Sequence, residues 1–471
     1  MYPEYKIETF ERIMNLEESR GKLKDFCYSK ETKKLSQDIK SKRLELKGVY
    51  GEQRENILQS IDELNQQYEE KKKKEIVDIY KRIINGDYSV SLNSISVKNK
   101  EVFSVQNVES LLISKYIGYE LRKKYKLKMS NRDEIVEELR VLLDNSMPKI
   151  LIRTDIKDFF ESIDQKRLLE KIRTDGLLFT ISEKCLRKFF YEYNQMKNNK
   201  NQVGLPRGLS FSPVLAEIYL QDFDRKIKNL NGVYFYKRYV DDIVILANPQ
   251  NITKENCWNS ISKISSSFNL TLHNDDEKQL KELISGRNNR PFYFDYLGYR
   301  FRHSDGHTDL LLTEKKMERY KKTIDCIFKA YAKVASYRTR DEKGKKHTDG
   351  IIQFMHRIEA LTGNGKLNSR RNFVKTGLYY SNHLLTDISQ IDDLDKYLTN
   401  ALNDPKRFAP PRNLFNYGNN MDYERAVSLI KSKIINIYSF KKGYCERRLY
   451  RWDDYVIVLK QLQNLYFKSL Q

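Results

Sequence analysis

The sequence has 471 residues and carries 86 Lys and Arg against 64 Asp and Glu, a formal net charge of +22. A chain this basic, with 12% aromatic residues, is typical of a folded protein with a polyanionic partner, most often nucleic acid. Its five cysteines are far apart and form no Cys-x-x-Cys pair, which argues against a zinc site or disulfide framework and favours a cytoplasmic location. The charged N-terminus predicts no signal peptide, and no uncharged apolar run is long enough to predict a membrane span.

The first third of the chain predicts long helices. Pro is absent from residues 4–147, and apolar residues recur at helical spacing from Ile57 to Ile83. The turn Asn85-Gly86-Asp87 is expected to end this stretch. The lysine run Lys71–Lys74 is expected to form a solvent-exposed helix face, with phosphate contact as the alternative.

From about residue 88 to 310 the pattern changes to short strands that alternate with helices. Lys149–Thr154 predicts a strand with Asp155 at its end, and the following residues open a helix. Further along, the glycines and proline of GLPRG (204–208) predict a constrained turn, after which Ser212-Pro213 is expected to start a helix with Ser as N-cap. Such a turn can present backbone N–H groups and an arginine to a nucleotide.

The next stretch, YFYKRYVDDIVILA (234–247), predicts a β-hairpin with Asp241 and Asp242 at its tight turn. Adjacent carboxylates repel each other, and turn aspartates are usually followed by Gly or Asn, which this turn lacks. A divalent-cation site is the alternative to a purely structural turn. Asp155 supplies the further carboxylate, and two such groups on one sheet face can hold two Mg²⁺ about 4 Å apart.

After Thr313, a plausible N-cap, the chain becomes helical again, with an apolar stripe that begins at Met317. Three later stretches, 369–380, 406–417 and 441–452, mix basic and aromatic residues. Such mixtures suit RNA, with cations on phosphates and rings on bases, but ordinary amphipathic helix packing explains any one stretch equally well.

Five of these stretches occur in a characteristic order: TDIKDFF (154–160), GLPRGLSFSPVLAEIYL (204–220), YVDD (239–242), the segment that ends at Lys278, and YLGY (296–299). In them the chain resembles reverse transcriptases, whose motifs A to E have these patterns. The resemblance implies an α+β right-hand polymerase with fingers and a ferredoxin-like palm of β-α-β-β-α-β order. The implied division is a helical N-terminal extension (1–87), fingers and palm (88–310) and a helical, thumb-like, nucleic-acid-binding domain (311–471).

The resemblance also implies roles for individual residues. Asp155, Asp241 and Asp242 correspond to the catalytic, metal-binding triad, assisted by the Ile156 carbonyl, with Mg²⁺ as the metal and Mn²⁺ as the alternative. Phe160 corresponds to the aromatic residue that rejects a ribose 2′-hydroxyl, which favours DNA synthesis. The further expected nucleotide-binding residues are Lys157, Asp158, Phe159, Arg207, which stands where many family members have Gln, and Lys278. The expected template and primer contacts are Gly208, Ser210, Tyr239, Tyr296, Leu297 and Gly298.

Within the family, the chain is most similar to bacterial defence-associated, abortive-infection reverse transcriptases, because a divergent segment precedes motif A and the helical C-terminal region is not an obvious thumb. The partners implied are dNTPs, a DNA product and an RNA template, which some relatives take from a dedicated noncoding RNA. Untemplated or protein-primed synthesis, a homo-oligomer and a partner defence protein are also compatible with the resemblance. The alternatives are a retron or group II intron enzyme, an RNA polymerase, and a catalytically silent RNA-binding scaffold.

Overall fold

The computed structural model describes residues 6–19, 28–97, 99–128, 130–273, 279–284, 291–336, 349–368, 373–409, 423–450 and 455–468. The chain packs as two compact units, Met1–Ser130 with Lys149–Leu283, and Asn131–Pro148 with Ile284–Gln471. Each unit has its own buried apolar core. In the described part of the chain, no helix has the length and apolar character needed to cross a membrane.

The first unit opens with three helices, α1 (Ile7–Ser19), α2 (Lys30–Glu45) and α3 (Glu52–Asn85). The predicted end of the helical stretch is confirmed, because Gly86 caps α3 in the left-handed conformation, with a φ of 82°. Helix α2 packs along α3.

One lysine of the run on α3 is buried, so the prediction of a solvent-exposed face is wrong for it. The side chain of Lys72 is 4% exposed, and its Nζ lies 2.5 Å from a carboxylate oxygen of Glu18 on the preceding chain segment. Successive helix residues are rotated by about 100°, so a run of four consecutive lysines cannot keep every member on one face. Lys73 and Lys74 are exposed as expected.

Strands β1 (Leu92–Val97) and β2 (Lys100–Val105) form an antiparallel hairpin. The largely buried helix α4 (Val108–Lys124) follows, with the Asn107 side chain accepting from the Ser110 N–H at its N-terminus. The next helix, α5 (Arg132–Leu143), belongs to the second unit.

The centre of the first unit is a four-stranded sheet made of β3 (Lys149–Asp155), β4 (Val233–Tyr239), β5 (Asp242–Ala247) and β6 (Leu280–Ile284), in the order β4-β5-β3-β6. Its helices are α6 (Phe159–Ser162), α7 (Gln165–Asp175), α8 (Thr180–Met196), α9 (Ser212–Lys228) and α10 (Lys254–Ser267). Because helices separate β3 from β4 and β5 from β6, the chain follows the predicted β-α-β-β-α-β order. The α+β fold with a ferredoxin-like palm is therefore confirmed.

Helix α9 begins one position differently from the prediction. Ser212 is its first residue rather than its N-cap, which is Phe211, and Pro213 comes second. The Ser212 hydroxyl instead donates to the Pro206 carbonyl, at 2.7 Å. The side chain that was expected to cap the helix therefore fixes the preceding glycine-rich turn.

The second unit contains an antiparallel sheet of β7 (Phe292–Tyr296), β8 (Tyr299–Ser304) and β9 (His307–Leu312). The predicted cap at Thr313 is confirmed, since its hydroxyl accepts from the Lys316 N–H. The remaining elements are α11 (Glu314–Ser336), α12 (Asp349–Thr362), β10 (Asn364–Asn368), β11 (Phe373–Gly377), α13 (Ser389–Asn403), α14 (Tyr423–Ile437), α15 (Phe440–Cys445) and α16 (Tyr455–Lys468).

The two units do not follow the three predicted domains residue by residue. Residues 131–148 and 284–310 pack with the C-terminal elements rather than with the four-stranded sheet. Compact packing and functional division are different properties, and the functional boundaries at residues 87 and 310 stay a prediction.

Candidate active site

The expected carboxylates meet at one end of the four-stranded sheet. Asp155, the last residue of β3, stands directly opposite Asp242, the first residue of β5, in an antiparallel ladder. Residues paired in this way place their side chains on the same face, with Cβ atoms about 5 Å apart. The apolar stretch of β5 that follows is fully buried, so the packed interior of the sheet fixes this register.

Backbone hydrogen bonds hold the chain just beyond Asp155 on both sides. The Ile156 N–H donates to the Asp241 carbonyl at 3.1 Å, and the Lys157 N–H donates to the Thr271 carbonyl at 2.8 Å. The His273 N–H in turn donates to the Asp155 carbonyl at 3.0 Å. The end of β3 is therefore fixed between the β4–β5 turn and the segment that follows α10.

The β4–β5 turn is strained at Val240, which has a φ of 58°. A β-branched residue rarely adopts this left-handed conformation, and such strain costs of the order of 1–3 kcal/mol. Arg238 supports the turn, because its Nη1 donates to the Val240 carbonyl at 2.7 Å. Arg238 is itself 5% exposed at its side chain and ion-paired with Glu217 and Asp224 of α9, at 2.7 and 2.9 Å. A buried ion-pair network thus ties the turn that carries Asp241 to helix α9.

A cavity of about 270 Å³ opens beside these carboxylates. It brings together many of the residues that the sequence singled out. Those that line it are Asp155, Ile156, Lys157, Asp158, Phe159, Phe160, Arg207 and Asp241. Lys100, Val240 and His273 line it as well. Asp158 has a φ of 45°, which reverses the chain between β3 and the short helix α6.

Two cavity residues, Phe160 and Arg207, form one structural group. The Arg207 guanidinium lies 5.0 Å from the centre of the Phe160 ring, a distance typical of a cation–π contact. Its Nη2 also donates to both carboxylate oxygens of Glu161, at 3.0 and 3.1 Å. Phe159, in contrast, is buried beneath Phe160, with 4% of its surface exposed. Arg207 therefore lines the cavity with its charge already engaged by a neighbouring carboxylate.

The glycine-rich turn packs closely against the β1–β2 hairpin. Gly208 has a φ of 104°, and a Cβ at this position would lie 2.5 Å from the Phe103 carbonyl oxygen, so the residue must be glycine. The Ser210 hydroxyl donates to the Ser114 carbonyl of α4 at 2.6 Å. The structure thus gives both residues packing roles, while their predicted contact with template or primer stays a prediction, as does that of Tyr239 at the end of β4.

Three of the remaining predicted residues belong to the second unit. Tyr296, Leu297 and Gly298 form the β7–β8 turn of the second unit, where Leu297 and Gly298 have φ values of 44° and 76°. Two positive φ angles in a two-residue loop match the twist of a tight hairpin. Lys278 lies outside the described residues.

The cavity contains two residues that sequence reasoning missed, Lys100 and His273. Lys100 begins β2, and the His273 Nε2 lies 3.8 Å from an Asp155 carboxylate oxygen. Lys100 belongs to none of the five motifs, and His273 lies in the segment that ends at Lys278, where only the lysine was given a role.

The donor atoms at the site suit a hard divalent cation. Three carboxylates, Asp155, Asp241 and Asp242, and the Ile156 carbonyl supply only oxygen, which Mg²⁺ prefers. Among the described residues, no group of three or more His, Cys, Asp or Glu is arranged as a finished metal cluster. The residue types therefore fit the expected metal.

Comparison with known protein families identifies this part of the chain. Residues 88–301 match the family described as reverse transcriptase (RNA-dependent DNA polymerase). The chain contains a reverse transcriptase domain. The matched residues include the four-stranded sheet, the carboxylate ladder and the cavity.

No curated protein sequence matches the chain. Among solved structures, it is similar to telomerase from Candida albicans in complex with a TWJ fragment of telomeric RNA, with 11% identity and a TM-score of 0.35. Apo telomerase from Candida tropicalis has 14% identity and a TM-score of 0.34. In both comparisons 81% of this chain is covered, and it spans 64% and 65% of the telomerase chains.

Proposed function

We propose that the protein is an RNA-directed DNA polymerase that extends DNA by nucleotidyl transfer from dNTPs on an RNA template. The observation that carries this proposal is the register pair of Asp155 and Asp242 next to a cavity lined by Asp241 and by basic and aromatic side chains. A scaffold that had lost catalysis has no reason to retain three carboxylates whose mutual repulsion costs free energy.

In this proposal Asp155, Asp241 and Asp242, with the Ile156 carbonyl, hold Mg²⁺, with Mn²⁺ as the alternative. When bound, the metal supplies activation of the primer 3′-hydroxyl and neutralisation of the triphosphate. The protein's own contribution is to hold these oxygens in place, because the backbone bonds at Ile156 and Lys157 fix the end of β3 against the Asp241 turn and against Thr271. Preorganised ligands avoid reorganisation during the reaction.

The other cavity residues would position the nucleotide. Lys100 and Lys157 are the cations suited to the triphosphate, together with Arg207 if the nucleotide draws it from Glu161. The Phe160 ring would lie under the sugar and exclude a 2′-hydroxyl by collision. Asp158 would act through the backbone turn that presents these groups, since its left-handed φ starts α6.

We further propose that the protein acts in a bacterial antiphage defence system of the abortive-infection type and works in the cytoplasm. The support is the sequence resemblance together with the free thiols of Cys185, Cys257, Cys326 and Cys445, which suit a reducing compartment. Its RNA would be a dedicated noncoding RNA, or synthesis would be untemplated and protein-primed. A retron or group II intron type of enzyme is the alternative, and a homo-oligomer or a partner defence protein fits either assignment.

The test is nucleotide incorporation by the purified full-length protein in Mg²⁺, with each dNTP and each NTP offered singly and together. Co-purifying RNA is either retained or removed with ribonuclease. Asp241→Ala/Asp242→Ala is the inactive variant, and Asp62→Asn, at an exposed position on α3, is the matched control for loss of a carboxylate.

We expect products from dNTPs alone, in the wild type and Asp62→Asn, and none from the double variant. Sensitivity to ribonuclease identifies templated synthesis, whereas products that survive it and stay attached to protein identify protein priming. RNA binding without incorporation under every condition would refute the polymerase proposal and leave the scaffold. Incorporation of NTPs in preference to dNTPs would instead indicate an RNA polymerase.

A further inference from the structure

The second unit contains a cavity that shares no lining residue with the cavity beside Asp155. It has a volume of about 260 Å³ and lies between helices α11, α12 and α16 and the end of strand β11. Its walls combine leucines of α16 with hydroxyl, amide and cationic groups. A small, largely formed cavity with a few convergent polar groups is the usual architecture of a small-ligand site.

Cations dominate the charge at this cavity. Lys316 and Arg319, one helical turn apart on α11, both line it. Arg132 of α5 lies near Lys316, since both cationic groups approach Gly298. The position of a Cβ built on Gly298 is 3.0 Å from the Arg132 Nη2 and 3.6 Å from the Lys316 Nζ. Within the described part of the chain, no carboxylate forms an ion pair with any of these three cations.

Neutral groups hold the Lys316 ammonium in place. Its Nζ donates to the Asn382 Oδ1 at 2.6 Å and lies 5.0 Å from the centre of the buried Tyr299 ring. Burial, together with the nearby Arg132 and Arg319, lowers the pKa of Lys316 to about 8. The surroundings of Lys316 thus disfavour its positive charge. An anionic ligand beside the ammonium group would offset this unfavourable electrostatic free energy.

The part of the wall that α16 forms suits an aromatic or apolar group. The Arg319 guanidinium lies 5.7 Å from the centre of the Tyr466 ring of α16, and Leu459 and Leu462 of the same helix line the cavity. Ser381 and Thr376 add hydroxyls that can bind a sugar or a phosphate oxygen. The cavity therefore joins a cationic end to an aromatic and apolar wall.

We propose that this cavity binds the phosphate of a single nucleotide unit between Lys316 and Arg319, with the nucleoside against Tyr466 and the α16 leucines. The phosphate has two possible sources, a free nucleoside monophosphate or the 5′-phosphorylated end of an RNA. This inference does not depend on the polymerase activity, since no residue of the carboxylate site takes part in it.

The experiment is isothermal titration calorimetry on the full-length protein in EDTA, with AMP and adenosine as one pair of probes. A 5′-phosphorylated and a 5′-hydroxyl RNA of the same ten-nucleotide sequence form the second pair. Lys316→Met is the test variant. Lys315→Met, its exposed neighbour on α11, is the matched control with the same change in charge, and Lys316→Arg is the variant that retains the cation.

We expect Lys316→Met to weaken binding of the phosphorylated probe about tenfold or more, since a charge-assisted phosphate contact is lost. Lys315→Met and Asp241→Ala/Asp242→Ala should bind like the wild type, and Lys316→Arg should retain most of the affinity. If Lys316→Met weakens the binding of AMP alone, the ligand is a free nucleotide. If it weakens the binding of the phosphorylated RNA, the ligand is an RNA end.

The proposal is overturned if neither phosphorylated probe binds better than its unphosphorylated partner. It is also overturned if Lys315→Met weakens binding as much as Lys316→Met, because the effect would then be general electrostatic attraction. Loss of binding only in Asp241→Ala/Asp242→Ala would place the ligand at the carboxylate site and overturn the proposal. A normal melting temperature for Lys316→Met excludes unfolding as the cause of its weaker binding.

Discussion

At the scale of single residues, the selectivity that we propose for the cavity beside Asp155 depends on one half-buried ring. Phe160 is half-buried and faces the cavity, while its neighbour Phe159 is buried in the core beneath it. Arg207, fixed by Glu161, lies against the ring on one side. The ring therefore has little freedom to move aside when a bulkier sugar enters.

We predict that Phe160→Ala lowers the preference for dNTPs over NTPs by roughly 10- to 200-fold, the range for a pocket that rejects one small group. The quantity to measure is the ratio of kcat/KM for a dNTP to that for the matching NTP on one RNA template. Phe160→Tyr retains the ring and should keep the ratio close to that of the wild type. An unchanged ratio in Phe160→Ala would show that the ring does not select the sugar.

The sequence predicts a site residue only where the pattern that reveals it lies within one strand or turn. Asp155, Asp241 and Asp242 stand at the ends of recognisable apolar strands, so the strand pattern allows them to converge on one sheet face. Their assignment as a triad came from the resemblance to reverse transcriptases. The bond between Arg207 and Glu161 could not be foreseen, because it joins side chains from two turns whose packing depends on Gly208. Lys100 and His273 were missed because only the folded structure brings their segments to the cavity.

At the scale of structural elements, the β4–β5 hairpin is held by an ion-pair network rather than by its turn residues. Arg238 bonds two carboxylates of α9 and the carbonyl of the strained Val240. The sequence shows an arginine before YVDD, but neither its burial nor its partners can be deduced from spacing. A strained turn next to a catalytic candidate is where such support is expected.

We predict that Arg238→Leu lowers the free energy of unfolding by about 3–5 kcal/mol, because Glu217 and Asp224 lose their shared cation in a partly buried position. Urea unfolding followed by circular dichroism measures the change. Arg225→Leu is the control, since Arg225 pairs with Asp222 on the same helix but is 73% exposed, and its loss should cost less than about 1 kcal/mol. Equal losses in the two variants would contradict a structural role for the buried network.

At the scale of the whole molecule, the motifs identify the polymerase domain but do not predict how the chain packs. The order of the palm strands follows from the sequence pattern, since strands and helices alternate as β-α-β-β-α-β. The assignment of residues 131–148 to the second unit does not, because contacts of α5 with β8 and β9 join segments more than 150 residues apart. Local periodicity carries no information on such pairings.

The net charge of +22 belongs to this scale as well, because it predicts RNA binding that does not require an intact catalytic centre. Variants of the carboxylates should therefore lose chemistry while they keep their affinity for RNA. That separation distinguishes a defect in catalysis from a defect in folding or template binding.

The central claim is that Asp155 and the hairpin carboxylates form a polymerase centre, and single-turnover extension of a DNA primer on an RNA template in Mg²⁺ tests it most directly. We predict that Asp155→Asn lowers the rate of primer extension at least about 100-fold. This loss exceeds the effect of removing a group that only orients a metal ligand. The RNA affinity of Asp155→Asn should match that of Asp62→Asn and of the wild type. Extension by Asp155→Asn within a few-fold of the wild-type rate would contradict the account.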